Sequence, residues 1–266
     1  MRNIKLTIEY DGTNYAGWQR QNNPQSTIHN PQLKTIQGTI EKTLQKILQE
    51  KIRLIGSGRT DAGVHAQAQV ANFKTNSSIT MEKLQKSLNA VLPEGIVINK
   101  IEKVGPDFHS RFSAKSKLYR YTILNRFYPS ALLRNTVYFY PYNLNVQLMR
   151  LEARCLLGKH DFKSFCASGS SAKDTARTIK NISIKKLPYC LLPNTYYPRQ
   201  LPLIIINIES DGFLYNMARN IVGTLIEIGR GRFKKGDVKK ILLAKDRRLA
   251  GSTAPARGLC LVKVNY

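Results

Sequence analysis

Four residues able to do chemistry fall in one short string, GRTDAGVHA at 58–66: Arg59, Thr60, Asp61 and His65. Asp61 stands between Gly58 and Gly63, so turn chemistry accounts for it as readily as reactivity does. A reactive carboxylate needs more: a cation to keep it ionised and a pocket for substrate. The best cation is Arg219, set among Leu214, Met217, Ala218, Ile221 and Val222. A guanidinium in such company is costly unless paired, although an Arg at a helix edge can also snorkel to water. Tyr215, Arg219 and Gly223 follow one another at helical spacing, and the small Gly223 leaves room for a neighbour.

Tyr119 lies in KSKLYRYT, where Tyr119 and Tyr121 share one face of a strand that begins in basic residues. Aromatics beside Lys and Arg suit base stacking with phosphate contact, and equally an ordinary amphipathic strand. His29, His65, His109 and His160 show no metal-ligand spacing, and neither a phosphate-binding GK loop nor a GxGxxG fingerprint occurs. The chain therefore reads as working without a metal, nucleotide or redox cofactor. Two other classes stay open: a non-catalytic RNA-binding protein, and a glycosidase in which Asp11 or Glu9 partners Asp61.

The elements that must position these groups follow from periodicity. Ile4, Leu6, Ile8 and Tyr10 alternate as a strand over 3–10, which ends in the Gly-rich YDGTNYAGW. Thr35 opens a helix with Ile36, Ile40, Leu44, Ile47 and Leu48 on one face and charges on the other. IRLIG at 52–56 reads as a strand, as does QAQVANFK at 67–74. A helix over 80–91 stops before Pro93, and strands follow at 96–104 and 117–124. Further on, a helix fits 144–157 and strands fit 178–186 and 201–209. A nearly all-apolar helix fits 213–229, capped by Gly229; a short helix at 236–244 and a last strand close the chain. Residues 167–177 read as a small, polar loop, and the Pro- and Tyr-rich 186–202 as a long hairpin excursion.

The expected fold is α+β: two related mixed halves, antiparallel sheets flanked by helices, with an active-site cleft between them. The expected domains are 1–105, carrying Asp61, and a strongly basic 106–266. The chain has 266 residues and a formal net charge of +25. The first half carries +6 of this and the second +19. Such a surplus points to a polyanionic partner and makes a neutral sugar a less natural substrate. Cys155, Cys166, Cys190 and Cys260 fit no zinc or disulfide framework and read as reduced thiols of a cytoplasmic protein. No apolar run approaches the ~20 residues of a membrane span.

Eight strings, in order and over most of the chain, resemble the tRNA pseudouridine synthase A family. They are YDGTNYAGWQRQ (10–21), TIQGTIEKTL (35–44), GRTDAGVHA (58–66), FHSRFSAKSKLYRY (108–121), HDFKSFCASG (160–169), TARTI (175–179), GFLYNMARNIVGTL (212–225) and TAPARGLCLVKVNY (253–266). Two departures stand out. YNMARN replaces the family's usual His-Met-Val-Arg-Asn and is expected not to touch the Arg, and the 186–202 excursion is peculiar to this chain.

The resemblance implies isomerisation of uridine to pseudouridine at positions 38 to 40 of the tRNA anticodon arm, by a homodimer. It makes Asp61 the catalytic carboxylate, Arg219 its active-site Arg and Tyr119 the uracil-stacking ring. Arg59 matches a residue implicated in flipping the nucleotide, and Leu259 an apolar wall of the pocket. The same atoms enter and leave, so no cofactor is required. Asp61 would attack the ribose anomeric carbon, add to uracil C6, or remove a C2′ proton. All three routes require an ionised, positioned carboxylate.

Overall fold

The computed structural model describes residues 1–20, 34–170, 172–187 and 202–266. Cys190, His29 and nearly all of the 186–202 excursion lie outside the described residues. The chain divides into two compact units: Met1–Lys115 with Cys260–Tyr266, and Ser116–Leu259.

The first unit is built on β1 (Arg2–Tyr10), α1 (Ile36–Leu48), β2 (Ile55–Gly56), β3 (His65–Thr75), α2 (Met81–Val91) and β4 (Ile96–Val104). β1 lies between β3 and β4, antiparallel to both. The alternation of β1 does what its period demands: Ile4, Leu6, Ile8 and Tyr10 are all buried. Thr35 caps α1, its hydroxyl accepting from the Gly38 N–H at 3.3 Å. Thr80 caps α2 in the same way through the Lys83 N–H. The last strand, β10 (Leu259–Asn265), enters this sheet beside β3 and parallel to it, with Cys260 opposite His65.

Two expectations for this unit need correction, and they share a cause. The strand expected over 52–56 is paired at Ile55–Gly56 alone. The Leu54 N–H donates to Glu41 Oε1 at 2.9 Å, and the Leu54 carbonyl accepts from Gln37 Nε2 at 2.9 Å. Helix side chains thus take the backbone groups that a longer strand would have paired. For the same reason Glu41 is 5% exposed rather than on a solvent face.

The second unit holds β5 (Ser116–Leu124), β6 (Tyr138–Phe139), α3 (Val146–Ala153), β7 (Gly158–Asp161), β8 (Ala176–Leu187), β9 (Leu203–Ser210), α4 (Met217–Gly229) and α5 (Asp237–Ala244). β5, β9, β8 and β7 form one antiparallel run, and the short β6 pairs parallel with β5. The polar stretch expected as a loop over 167–177 gives up its last two residues to β8, where Ala176 and Arg177 face Asp161 and His160. α3 packs against both β8 and α4.

The apolar helix begins at Met217, not at 213, because Asn216 adopts φ 58 and ends any helical run before it. Its Gly229 is the last helical residue rather than a left-handed cap; the turn falls at Gly231, φ 81. Gly229 answers a packing need instead: a Cβ there would lie 2.7 Å from Met149 Sδ. The α+β class with helices on mostly antiparallel sheets thus stands, with the parallel β3–β10 and β5–β6 pairings added. Among the described residues no helix is long and apolar enough to cross a membrane.

Candidate active site

Asp61 sits half-buried on a turn that connects β2 to β3. The turn closes through the backbone: the Val64 N–H donates to the Asp61 carbonyl at 3.1 Å, and Gly63 takes φ 76. Turn formation therefore calls for the glycine at 63.

A second loop clamps this one. The Trp18 N–H donates to the Thr60 carbonyl at 3.0 Å, and the Gly63 N–H to the Tyr15 carbonyl at 3.4 Å. The Thr60 hydroxyl meets the Tyr10 phenol at 2.7 Å. Burial pushes the Tyr10 phenol far above its ordinary pKa, against the hydrogen bonds of Thr60 and Gln69, so it stays protonated. Two glycines let the loops touch. A Cβ on Gly12 would stand 2.1 Å from the Val64 carbonyl oxygen, and one on Gly17 2.6 Å from that of Thr60. Gly58 is held from below by Gln69 Nε2, and Gln69 also accepts from the Ser57 hydroxyl.

Arg59 is exposed, its Nε donating to Gln19 Oε1 at 3.2 Å. His65 is buried at the end of the turn, with Nδ1 3.1 Å from both the Gly12 N–H and Asp11 Oδ1. One ring nitrogen serves one of these at a time: bare, Nδ1 accepts from Gly12; carrying the ring hydrogen, it donates to Asp11. Partial burial raises the Asp11 pKa, but the Thr13 hydroxyl and amide and His65 outweigh it and hold the carboxyl below its ordinary value.

In the second unit, Tyr119 and Tyr121 share the buried face of β5, as their alternation requires. Tyr119 is 7% exposed and meets Phe213 edge-on, with ring centroids 4.8 Å apart. Tyr121 donates to the Pro255 carbonyl at 2.8 Å. Arg219 is half-buried in the first turn of α4. Its Nε donates to the Ala254 carbonyl at 2.7 Å and its Nη1 to Asn216 Oδ1 at 3.0 Å. NMARN therefore does touch the Arg, against expectation: the left-handed Asn216 turns its amide back onto the guanidinium instead of capping the helix. The neighbour for which Gly223 leaves room is the Ser252 carbonyl oxygen, 1.8 Å from where a Cβ would stand. Leu259 is buried directly after the short 3-10 turn Ala256–Gly258.

The structure thus brings Asp61 and Arg59 onto one clamped turn in the first unit. Tyr119, Arg219 and Leu259 belong to the second. What the sequence reading missed is the support under Arg219. Asn220 Oδ1 accepts from Thr253 Oγ1 at 2.6 Å and from Arg247 Nη2 at 3.0 Å, fixing the segment that carries Ala254. The signal for it in the sequence is the TAPARGL string at 253–259. Among the described residues no three His, Cys, Asp or Glu side chains gather as metal ligands would, and Cys155, Cys166 and Cys260 are in no disulfide.

A family model described as tRNA pseudouridine synthase covers residues 6–113 and 153–266. A tRNA pseudouridine synthase A of Acetivibrio thermocellus is 46% identical over 266 residues, covering 100% of both chains. Proteins of the same name from Caldicellulosiruptor bescii and Clostridium acetobutylicum are each 47% identical over the same full length. The chain belongs to the tRNA pseudouridine synthase family.

Proposed function

We propose that this chain isomerises uridine to pseudouridine at positions 38 to 40 of the tRNA anticodon arm, with Asp61 as the catalytic carboxylate. The observation that carries the reading is the clamp on the GRTDAGVHA turn. Trp18 and Tyr15 fix the backbone on both sides of Asp61 and Tyr10 holds the Thr60 hydroxyl, which is the rigidity a positioned carboxylate needs.

On this reading Asp61 is the catalytic carboxylate, Arg219 the active-site Arg and Tyr119 the uracil-stacking ring. Arg219 is held by Ala254 and Asn216, which fixes the direction of its fork. Extruding the base costs a few kcal/mol, and stacking on Tyr119 returns about 1–3 kcal/mol. The exposed Arg59 fills the space the base leaves. Leu259 excludes water, so the detached uracil is retained and re-forms its bond through carbon. The net charge of +25 grips the phosphate backbone with little regard to sequence, which suits an enzyme that accepts neighbouring positions. The same reading carries a homodimer in the cytoplasm, with tRNA as partner and no cofactor.

The test is tritium release from tRNA labelled at uridine C5, followed by mapping of the modified positions. Release at 38 to 40 supports the reading. Tight tRNA binding with no release would make the chain a binding protein and end it.

A further inference from the structure

The string FHSRFSA at 108–114 has no task in the reaction just described, yet it is built with care. Ser110 is fully buried and held from three sides. Its N–H donates to Asn72 Oδ1 at 2.9 Å, its hydroxyl to the Ile55 carbonyl, and its own carbonyl accepts from the Tyr266 phenol at 2.8 Å. Phe108 turns inward against Tyr266, ring centroids 5.0 Å apart, with the Lys5 ammonium 5.8 Å from each ring. Asn3 Nδ2 holds the Phe108 carbonyl at 2.9 Å.

On this base the next residues close on themselves. The Ser113 N–H donates to the His109 carbonyl at 2.9 Å, and the His109 N–H to Ser113 Oγ at 3.2 Å. His109 Nδ1 accepts from the N–H groups of both Arg111 and Phe112, each at 3.2 Å. That fixes the imidazole plane. Against it lies Phe112, stacked at 4.3 Å with an interplanar angle of 29°.

Phe112 is nevertheless 76% exposed. An exposed Phe is ordinary on a mobile loop. Here the backbone is pinned, one ring backs the other, and the Arg111 guanidinium stands 5.5 Å from the Phe112 centroid. Arg111 and Lys115 are exposed in the same segment, against the single carboxylate of Asp107. Among the described residues, the exposed neighbours Phe127 and Tyr128 meet edge to face at 83° and offer no such stack.

We propose that the Phe112 ring, backed by His109 and flanked by Arg111, is a stacking site for an unpaired base of the RNA substrate. The proposal rests on the tRNA reading above and adds a contact outside the reacting uridine. A flat ring held in place loses little freedom when a base lands on it, and a neighbouring guanidinium serves both the π-face and the adjoining phosphate. Stacking accepts any base, so the site adds affinity rather than sequence preference.

The experiment uses the full chain and an unmodified tRNA transcript. Phe112→Ala is expected to weaken binding roughly tenfold, the loss of about one stacked base, while the slope of affinity against salt stays the same, because no phosphate contact is removed. Phe112→Trp is expected to keep wild-type affinity and to show fluorescence quenching when tRNA is added. The wild-type chain, whose Trp18 is 2% exposed, is titrated in parallel and its signal subtracted. Unchanged affinity of Phe112→Ala, or an unquenched Trp at 112, overturns the proposal. A shift in oligomeric mass without a change in RNA affinity also overturns it, in favour of a contact between copies. Failure of the wild-type chain to bind tRNA at all would instead remove the functional reading on which the proposal stands.

Discussion

Arg219 and Ala254 hold each other reciprocally. The Arg219 Nε donates to the Ala254 carbonyl at 2.7 Å, while the Ala254 N–H donates to the Arg219 carbonyl at 3.2 Å. One residue, Ala254, thus fixes both the backbone of α4's first turn and the direction of its guanidinium. With Nε on Ala254 and Nη1 on Asn216, the planar fork cannot rotate without losing a bond. Arg219→Lys is therefore expected to cut turnover by at least about tenfold, since a point charge on a flexible stem cannot reproduce two fixed bonds. Wild-type kinetics would show that the fork is dispensable.

Asp61→Asn is expected to leave the fold and tRNA affinity intact and to abolish pseudouridine formation. The turn closes through backbone atoms, which the amide leaves in place. Residual turnover above background, in enzyme prepared free of the host's own synthases, would refute the carboxylate's role.

Gly17 joins loop to loop at φ 91, with Thr60 O and the Asp61 carbonyl carbon 2.6 and 3.1 Å from where a Cβ would stand. Gly17→Ala should cost about 1–3 kcal/mol of stability. It should also lower kcat more than it raises KM, because the strain is relieved by moving the turn that carries Asp61. Urea unfolding and steady-state kinetics on the same preparation separate the two effects.

Arg247 donates to Asn220 Oδ1, Thr253 Oγ1 and the Ala250 carbonyl. Arg247→Met leaves these acceptors short of a donor, and about 2 kcal/mol of stability should be lost. Arg247→Lys should recover part of that, as one ammonium can reach one or two of the three. The urea midpoint reads both outcomes.

Asp161 gives a pH test. The Thr175 hydroxyl lowers its pKa most; partial burial opposes this, and Lys245 and the Lys163 N–H add to the lowering. The native value lies below the unfolded value of about 3.9, so the stabilisation is whole above that pH and is lost as pH falls through the native value. Asp161→Asn should be less stable than wild type at neutral pH, and the gap should close below about pH 3.9. A gap that persists undiminished in acid would mean the carboxylate's charge is not the source.

Much of this was legible residue by residue. Thr35 and Thr80 announced their helices because a cap and a 3.6-residue stripe are local facts. Tyr119 and Tyr121 could be placed on one strand face because alternation needs no knowledge of a partner. The strings around Asp61, Tyr119 and Arg219 pointed to the family for a related reason: each is a short, contiguous stretch of chain.

What was hidden depends on groups distant in the chain meeting in space. IRLIG reads as a strand until Glu41 and Gln37 take the backbone groups of Leu54. NMARN reads as helix interior until the left-handed Asn216 folds its amide onto Arg219. The last strand belongs by sequence to the second half, yet its Cys260 lies beside His65 in the first unit's sheet. Periodicity along the chain determines which face of an element is apolar. The partners of its backbone and polar groups are decided when the chain closes on itself, because a hydrogen bond is set by distance and angle in space.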